Sequence, residues 1–559
     1  MTFTTPRRHA VLVLALAVLG GAALTGCGPD GPAGAAPSGS QGPVPRALGT
    51  FYGQKPTWNA CGDLECATLT VPMDYAHPED GRTFVLPLAR ARAKDPGARI
   101  GSLLVNPGGP GGSGVAMLEG GTVDSFGARV RARFDIVGFD PRGVGGSTPA
   151  VDCTGDDAAP GTGDKPDGAD GAGRPDGAGG EATGGLYPRT DEERKAALAD
   201  ADRTAQACKA RSGAILPHVG TPDAARDMDV LRAVLGDEKL TFLGFSYGTS
   251  LGTSYAELFP RRVRALVLDG AIDPAKDWYQ RSVEQSAAFR SAVDDYAQHC
   301  AEVAKEACPA ATPDGIRRLV DDLYEKAAKQ PLPVPGTADH VDLRTLHTVI
   351  TMSMYTPEDQ WADLSEALKA AQGGDGTKLA ELAGGDQAGP DDQSDQSGQG
   401  SRTAGTHGRK ASTRGPRPAD AERDNSDDAF TAVNCLEVSH PRDPQAYWEA
   451  VDRSYRDAGV YGPSGVVDEL VCHDWPAAPR EPHSVDAKDA PPVLVVGTTG
   501  DPATPYADAQ GLARQFPAGM LLTYRGFGHT AYGRSNACVG DAVDAYLTEL
   551  RPIPTGTTC

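Results

Sequence analysis

Residues 240–260 read LTFLGFSYGTSLGTSYAELFP. Leu240 to Leu243 make an apolar run of strand length, Gly244-Phe245-Ser246-Tyr247-Gly248 a tight turn, and the small residues after them a helix. A serine between two glycines at a strand-to-helix turn is the G-x-S-x-G pattern, in which a strained backbone lifts the hydroxyl above the sheet edge. Gly244 and Gly248 lack Cβ atoms, so strand and helix can approach closely. The first amides of the helix point at charge developing beside the serine. Taken alone, the pentapeptide is equally well a glycine-rich turn that happens to hold a serine. The strand before it and the helix after it favour a nucleophile at Ser246.

Working outward, strand-like spacing covers Glu65 to Tyr75, Thr83 to Ala91, Ile100 to Val105, Phe134 to Phe139 and Val263 to Leu268. Helical periodicity covers Thr190 to Ser212 and Thr221 to Leu235, the second with Thr221 as expected N-cap and Pro222 at its first position. From Asp277 to about Asp474 the apolar spacing is almost wholly helical. Strands resume at Pro492 to Gly497 and Gly519 to Tyr524, before a final amphipathic helix at Asp541 to Leu550. Strands alternating with helices argue for an α/β fold with a mainly parallel sheet, and the helical block for an inserted lid. The organisation expected is a lipoprotein-type signal peptide at 1–26, a flexible tether at 27–46 and a first part of the core at 47–276. A helical lid follows at 277–485 and the rest of the core at 486–559. Two inserts too poor in apolar residues to bury a core are expected to be disordered, at about 155–185 and about 384–428.

A serine nucleophile needs a base within hydrogen-bond reach and an acid behind the base. In a strand-turn-helix setting of this kind the chain order is serine, acid, histidine. His529, in Gly526-Phe527-Gly528-His529-Thr530, follows the last strand and meets that order. Two aspartates are candidates for the acid: Asp501, projected from a Gly-Asp-Pro turn after Pro492 to Gly497, and Asp269, which ends the strand after the elbow. Asp501 is preferred, because its strand adjoins the one before His529; Asp269 then has a turn or capping role. Oxyanion donors are expected from the amide of Tyr247 and from the Gly-rich loop at 106–114, at Gly109. That loop also satisfies G-x-G-x-x-G, a dinucleotide pattern, but Pro107 and Pro110 remove amides that a pyrophosphate would need.

The net charge of −22 argues against a nucleic-acid partner. Arg7 and Arg8 before the apolar run Ala10 to Ala23, then Leu24-Thr25-Gly26-Cys27, read as an export signal with a lipidation site at Cys27, the only expected tie to a membrane. Setting Cys27 aside, the 11 cysteines leave ten. They fall in sequence-local pairs, Cys61/Cys66, Cys153/Cys208, Cys300/Cys308, Cys435/Cys472 and Cys538/Cys559, which suit disulfides in an oxidising compartment. No C-x-x-C or H-E-x-x-H spacing points to zinc, and no metal or cofactor is expected.

CGDLECATLTVPMDY (61–75), NPGGPGGSG (106–114), DPRGVGGS (140–147), GFSYG (244–248), TTGDPATP (498–505) and GFGHT (526–530), in this order, resemble the α/β-hydrolase superfamily. Within it the chain is similar to the proline-iminopeptidase branch, peptidase family S33, and most to the secreted tripeptidyl aminopeptidases of actinobacteria. The resemblance spans about Cys61 to Cys559 outside the two inserts. It implies an α/β-hydrolase fold, a triad of Ser246, Asp501 and His529, and oxyanion donors at Gly109 and Tyr247. Pro107 stands where the broader branch has histidine, which weakens any claim of proline specificity. Relatives use lid carboxylates to bind a substrate's free amino terminus, and Glu437, beside Cys435, is the candidate here, although a solvent-facing glutamate would read the same. The function expected is an extracytoplasmic serine exopeptidase acting on peptides with a free N-terminus. A carboxylesterase on the same scaffold, or a non-catalytic solute-binding lipoprotein, are the rivals.

Overall fold

The computed structural model describes residues 45–154, 186–385 and 424–559. The expected signal peptide, Cys27 and the insert at 155–185 lie outside these residues, with nearly all of the tether and most of the second insert.

Among the described residues eleven strands follow in chain order: β1 (Asn59–Cys61), β2 (Leu64–Pro72), β3 (Thr83–Ala91), β4 (Gly101–Asn106), β5 (Phe134–Phe139), β6 (Leu240–Phe245), β7 (Val263–Asp269), β8 (Leu332–Pro333), β9 (His340–Val341), β10 (Val493–Gly500) and β11 (Gly519–Phe527). Nine of them form one sheet in the order β1-β2-β3-β5-β4-β6-β7-β10-β11, and β8 and β9 pair separately. The first three strands join antiparallel, and β5 through β11 of the large sheet run parallel. All residues of β4, β5 and β6 are buried, as a parallel sheet covered on both faces requires.

Alternation along each strand assigns the two faces. Phe242, Leu266, Leu268, Val493 and Val495 enter one core with the helices Thr221–Val234, Gly248–Leu258 and Tyr506–Gln515. Leu243, Ala265, Val267, Leu494 and Val496 enter the opposite core with Val130, Val539, Val543 and Tyr546. The parallel strands thus all deliver their carboxyl ends, and the loops after them, to one edge of the sheet.

Between β7 and β10 the described residues are mainly helical: Trp278–His299, Pro313–Ala327, Leu343–Met352, Pro357–Gln372, Thr377–Gly385, Ser426–Glu437, Pro444–Ala458 and Gly462–Asp468. Several of these share an apolar core of their own, built on Tyr296, Ile316, Leu323, Ile350, Leu364 and Leu368. The helix Ser426–Glu437 differs. Its Ala432, Val433, Cys435 and Leu436 pack into the core under the sheet. It also begins inside the stretch expected to lack structure: Asn425 is buried, with its amide donating to Gly143 O and Val151 O at 2.9 Å each. That polar anchoring leaves no mark in apolar spacing, so the expected insert runs past the point where structure resumes. The five cysteine pairs are the ones the sequence suggests.

Candidate active site

The elbow carries a serine in a conformation that few residues adopt. Ser246 has φ +53°, in the left-handed region where an L side chain crowds its own backbone. The local chain fixes it there: Ser246 N donates to Asp269 O (2.9 Å), while its carbonyl accepts from Thr249 N (2.8 Å) and Thr249 Oγ1 (2.7 Å). A Cβ on Gly244 would lie 2.3 Å from Gly248 O, so strand and helix meet at this turn only because residue 244 is glycine.

On the neighbouring strand, β4 ends at Asn106 and the Gly-Pro loop turns back over the serine. Gly108, at φ +103°, sits so close that a Cβ would fall 2.8 Å from Ser246 Cβ and 3.2 Å from Tyr247 N. Among the described residues, neither the Tyr247 nor the Gly109 amide donates to a protein acceptor. Two amide donors without protein partners, beside or one residue from a contact with the serine, suit a developing oxyanion. The far side of the loop is filled by protein: a Cβ on Gly111 would lie 2.4 Å from Ser426 O. A pyrophosphate reading of the same glycines has no support from this packing.

His529 and Asp501 meet at the same sheet edge. The imidazole Nδ1 lies 2.9 and 3.1 Å from the two Asp501 oxygens, which makes Nδ1 the protonated nitrogen and leaves Nε2 as the acceptor. The Asp501 side chain is fully buried. Burial of the carboxylate is offset by three further donors, the amides of Ala503 (3.0 Å), Thr504 (2.9 Å) and Thr530 (3.1 Å). Thr504 Oγ1 lies 3.4 Å from Nδ1. Asp269, the other acid considered, does not bond the imidazole and does not cap a turn. Its carboxylate accepts from Ala531 N (3.0 and 3.1 Å) and Tyr532 N (2.7 Å), holding the chain just beyond His529. Burial, with the Asp501 charge nearby, pushes its carboxyl up to about 6, against the pull of those two amides.

Glu437 is buried rather than solvent-facing. It accepts from Thr221 Oγ1, and Thr221 Oγ1 in turn accepts from Tyr247 Oη at 2.6 Å, so a proton chain runs Tyr247 to Thr221 to Glu437. Burial and the Glu437 charge push the Tyr247 phenol up. Thr221 is therefore not the N-cap expected of it: Gly220 holds that position, and the hydroxyl is drawn inward by two buried polar partners. No cation lies within ion-pair distance of Glu437 among the described residues. With Thr253, whose buried hydroxyl has no partner there, and with Arg281, Arg480 and His483 it lines a cavity of about 10 Å³, the room of one water-sized group.

Sequence reasoning missed the inward contacts of Thr221, the clamp made by Asp269, and the contacts of Arg534 to the histidine loop. Their roles are tertiary; only the closeness of Arg534 to His529 in sequence hinted at one of them. Among the described residues, His440, Glu469 and Cys472 group metal-ligating atoms, but the sulfur is spent in the Cys435–Cys472 disulfide. No helix among the described residues is long and apolar enough to cross a membrane.

Comparison with known proteins gives the family. Residues 458–559 match the family model described as TAP-like protein. Over 531 residues, 91% of each chain, the protein is 35% identical to serine protease Hip1 of Mycobacterium tuberculosis. It is 34% identical to a tripeptidyl aminopeptidase of Streptomyces lividans, covering 90% of this chain and 84% of that one. It is 35% identical to carboxylesterase B of Mycobacterium tuberculosis, covering 90% and 89%. With its parallel sheet, elbow serine and strand-end histidine, the chain belongs to the TAP-like serine hydrolases of the α/β-hydrolase fold.

Proposed function

We propose that this serine hydrolase is an exopeptidase that releases short peptides, tripeptides in the simplest case, from the free amino end of peptide substrates. Ser246 Oγ attacks the scissile carbonyl carbon as its proton passes to His529 Nε2. The tetrahedral oxyanion is received by the amides of Gly109 and Tyr247. Collapse breaks the C–N bond, the imidazolium returns the proton to the leaving amine, and water repeats the sequence to free the acyl group. Asp501 holds the imidazole in the Nδ1–H tautomer throughout.

The observation that carries this reading is the His529–Asp501 pair, standing on the strands that follow a serine held in the left-handed region. The exopeptidase part is supported by Glu437, a buried carboxylate without an ion-pair partner among the described residues, which suits a substrate ammonium. The tripeptidyl aminopeptidase among the relatives supports the product length. Export, with a signal at 1–26, acylation at Cys27 and a tether at 27–46, is supported by the pairing of ten cysteines as disulfides.

A carboxylesterase would use the same nucleophile, and one relative bears that name. The test is a panel of tripeptidyl arylamides beside acyl esters of matched size. Amide turnover that is lost in Ser246→Ala is the expected result. Ester turnover without amide turnover would leave the esterase standing instead.

A further inference from the structure

We infer that the lid positions the catalytic histidine, through Arg534 and the segment Tyr355–Glu358. The inference rests on His529 acting as the base, as proposed above.

After β11 the chain leaves the sheet, so its backbone groups need partners other than a strand ladder. On the body side Asp501 and Asp269 take the amides of Thr530, Ala531 and Tyr532, Gly500 O takes the amide of Gly528 (3.2 Å), and Thr498 Oγ1 donates to Thr530 O (3.0 Å). On the other side the partners come from the lid and from one guanidinium. His529 N donates to Tyr355 O at 2.9 Å, and the Tyr355 ring meets the imidazole edge-on, 5.1 Å between centroids. Arg534 donates from Nε to His529 O (3.0 Å) and from Nη2 to Phe527 O (2.7 Å) and Thr530 O (2.6 Å). Its remaining nitrogen, Nη1, reaches Glu358 of the lid at 3.0 and 3.3 Å. Gly528, at φ +89°, is pressed against the same segment: a Cβ there would lie 2.6 Å from Pro357 Cδ and 2.7 Å from Tyr355 O.

Three carbonyls that converge on one side chain require a rigid fork of several donors, which arginine has and a lysine ammonium only partly imitates. The backbone of the histidine is thereby tied to the lid at the residue itself and at its neighbours on both sides. Arg534 and Tyr355 touch no reacting atom in this scheme. They are positioning residues, and they make the state of the lid a determinant of where the imidazole stands.

The test uses the full chain with Arg534→Met, Arg534→Lys and Glu358→Ala. Turnover of a tripeptidyl arylamide, the rate of fluorophosphonate labelling at Ser246 and the thermal midpoint are read together. Displacement of a catalytic group by about 1 Å costs on the order of 100-fold. Arg534→Met is therefore expected to lose about 10- to 100-fold in both kcat and labelling rate, with KM within about threefold and a folded thermal transition. Arg534→Lys is expected to recover part of that loss. Glu358→Ala, which cuts the lid link and keeps the three carbonyl bonds, is expected to lose a smaller factor of about 3 to 10. Labelling within twofold of wild type in folded Arg534→Met, or a rise in KM at unchanged kcat, would overturn the inference. Should Arg534→Met not fold, unchanged kcat in Glu358→Ala overturns it. A wild-type chain that is not labelled at Ser246 would instead remove the underlying assignment of the triad.

Discussion

Asp269 and Asp501 are both buried aspartates at the ends of neighbouring parallel strands, and their surroundings give them different tasks. Asp501 faces an imidazole N–H and three amides; Asp269 faces two amides and, among the described residues, no ion-pair partner. The carboxyl of Asp269, pushed up to about 6 by burial, gives a pH test with a defined sign. A carboxyl whose folded value lies above its unfolded one binds more protons folded, so its contribution is full at acid pH and fades as pH rises from about 4 through 6. The stability advantage of wild type over Asp269→Asn is expected to shrink across that window by on the order of 3 kcal/mol, read by urea denaturation at several pH values. An advantage that grows with pH would contradict the assignment. For Glu437, the conservative change Glu437→Gln keeps the Thr221 contact and removes the charge. It is expected to lower kcat/KM for free-amine peptides by about 10- to 100-fold, the worth of a charge-assisted hydrogen bond, and to leave ester turnover near wild type.

At the scale of elements, the strands that carry the site were legible because a parallel sheet buries them as short apolar runs closed by Gly, Pro and Asp. β3 and β5 match the expected spans, and β6, β7, β10 and β11 each run one to three residues further. β1, β8 and β9 escaped notice, since two or three residues hold too little pattern to read. The glycines of the Gly-Pro loop read as a candidate oxyanion loop, and Gly108 shows why their spacing matters. Gly108→Ala would drive a methyl into Ser246 Cβ and Phe245 O at a backbone φ of +103°. Loss of at least about 100-fold in kcat is expected from the displaced serine. Strain at such a position costs about 1–3 kcal/mol, so thermal unfolding is expected to show a lower midpoint but a folded chain. The DPRGVGGS motif also finds its reason here. Arg142 is fully buried and bonds Asp227, Pro72 O, Met73 O and His218 O, tying the loop after β5 to the helix Thr221–Val234 and the end of β2. Arg142→Met leaves Asp227 an unpaired buried carboxylate, and a loss of about 3–5 kcal/mol in chemical denaturation is expected.

For the whole molecule, the sheet gathers residues from five separate strand ends to one edge, and the helical block touches that edge through Tyr355 and Glu358. Chain order and strand-end position pointed to Ser246, Asp501 and His529, and the structure pairs His529 with Asp501. Chain order did not reveal which parts of the block belong to the body. Glu437 rides on a helix packed into the core beneath the sheet and stapled by Cys435–Cys472, whereas Tyr355 and Glu358 belong to the helical block with an apolar core of its own and contact the histidine loop. In the proposed scheme, recognition of the substrate's end falls to this wall, and positioning of the base to the helical block that carries Tyr355 and Glu358. The most direct measurement is mass spectrometry of a peptide digested as the free amine and as its N-acetylated twin, by wild type and by Ser246→Ala. Stepwise release of short N-terminal fragments from the free amine only, and from wild type only, is the expected result. Equal cleavage of the acetylated twin, or fragments that persist with Ser246→Ala, would contradict it.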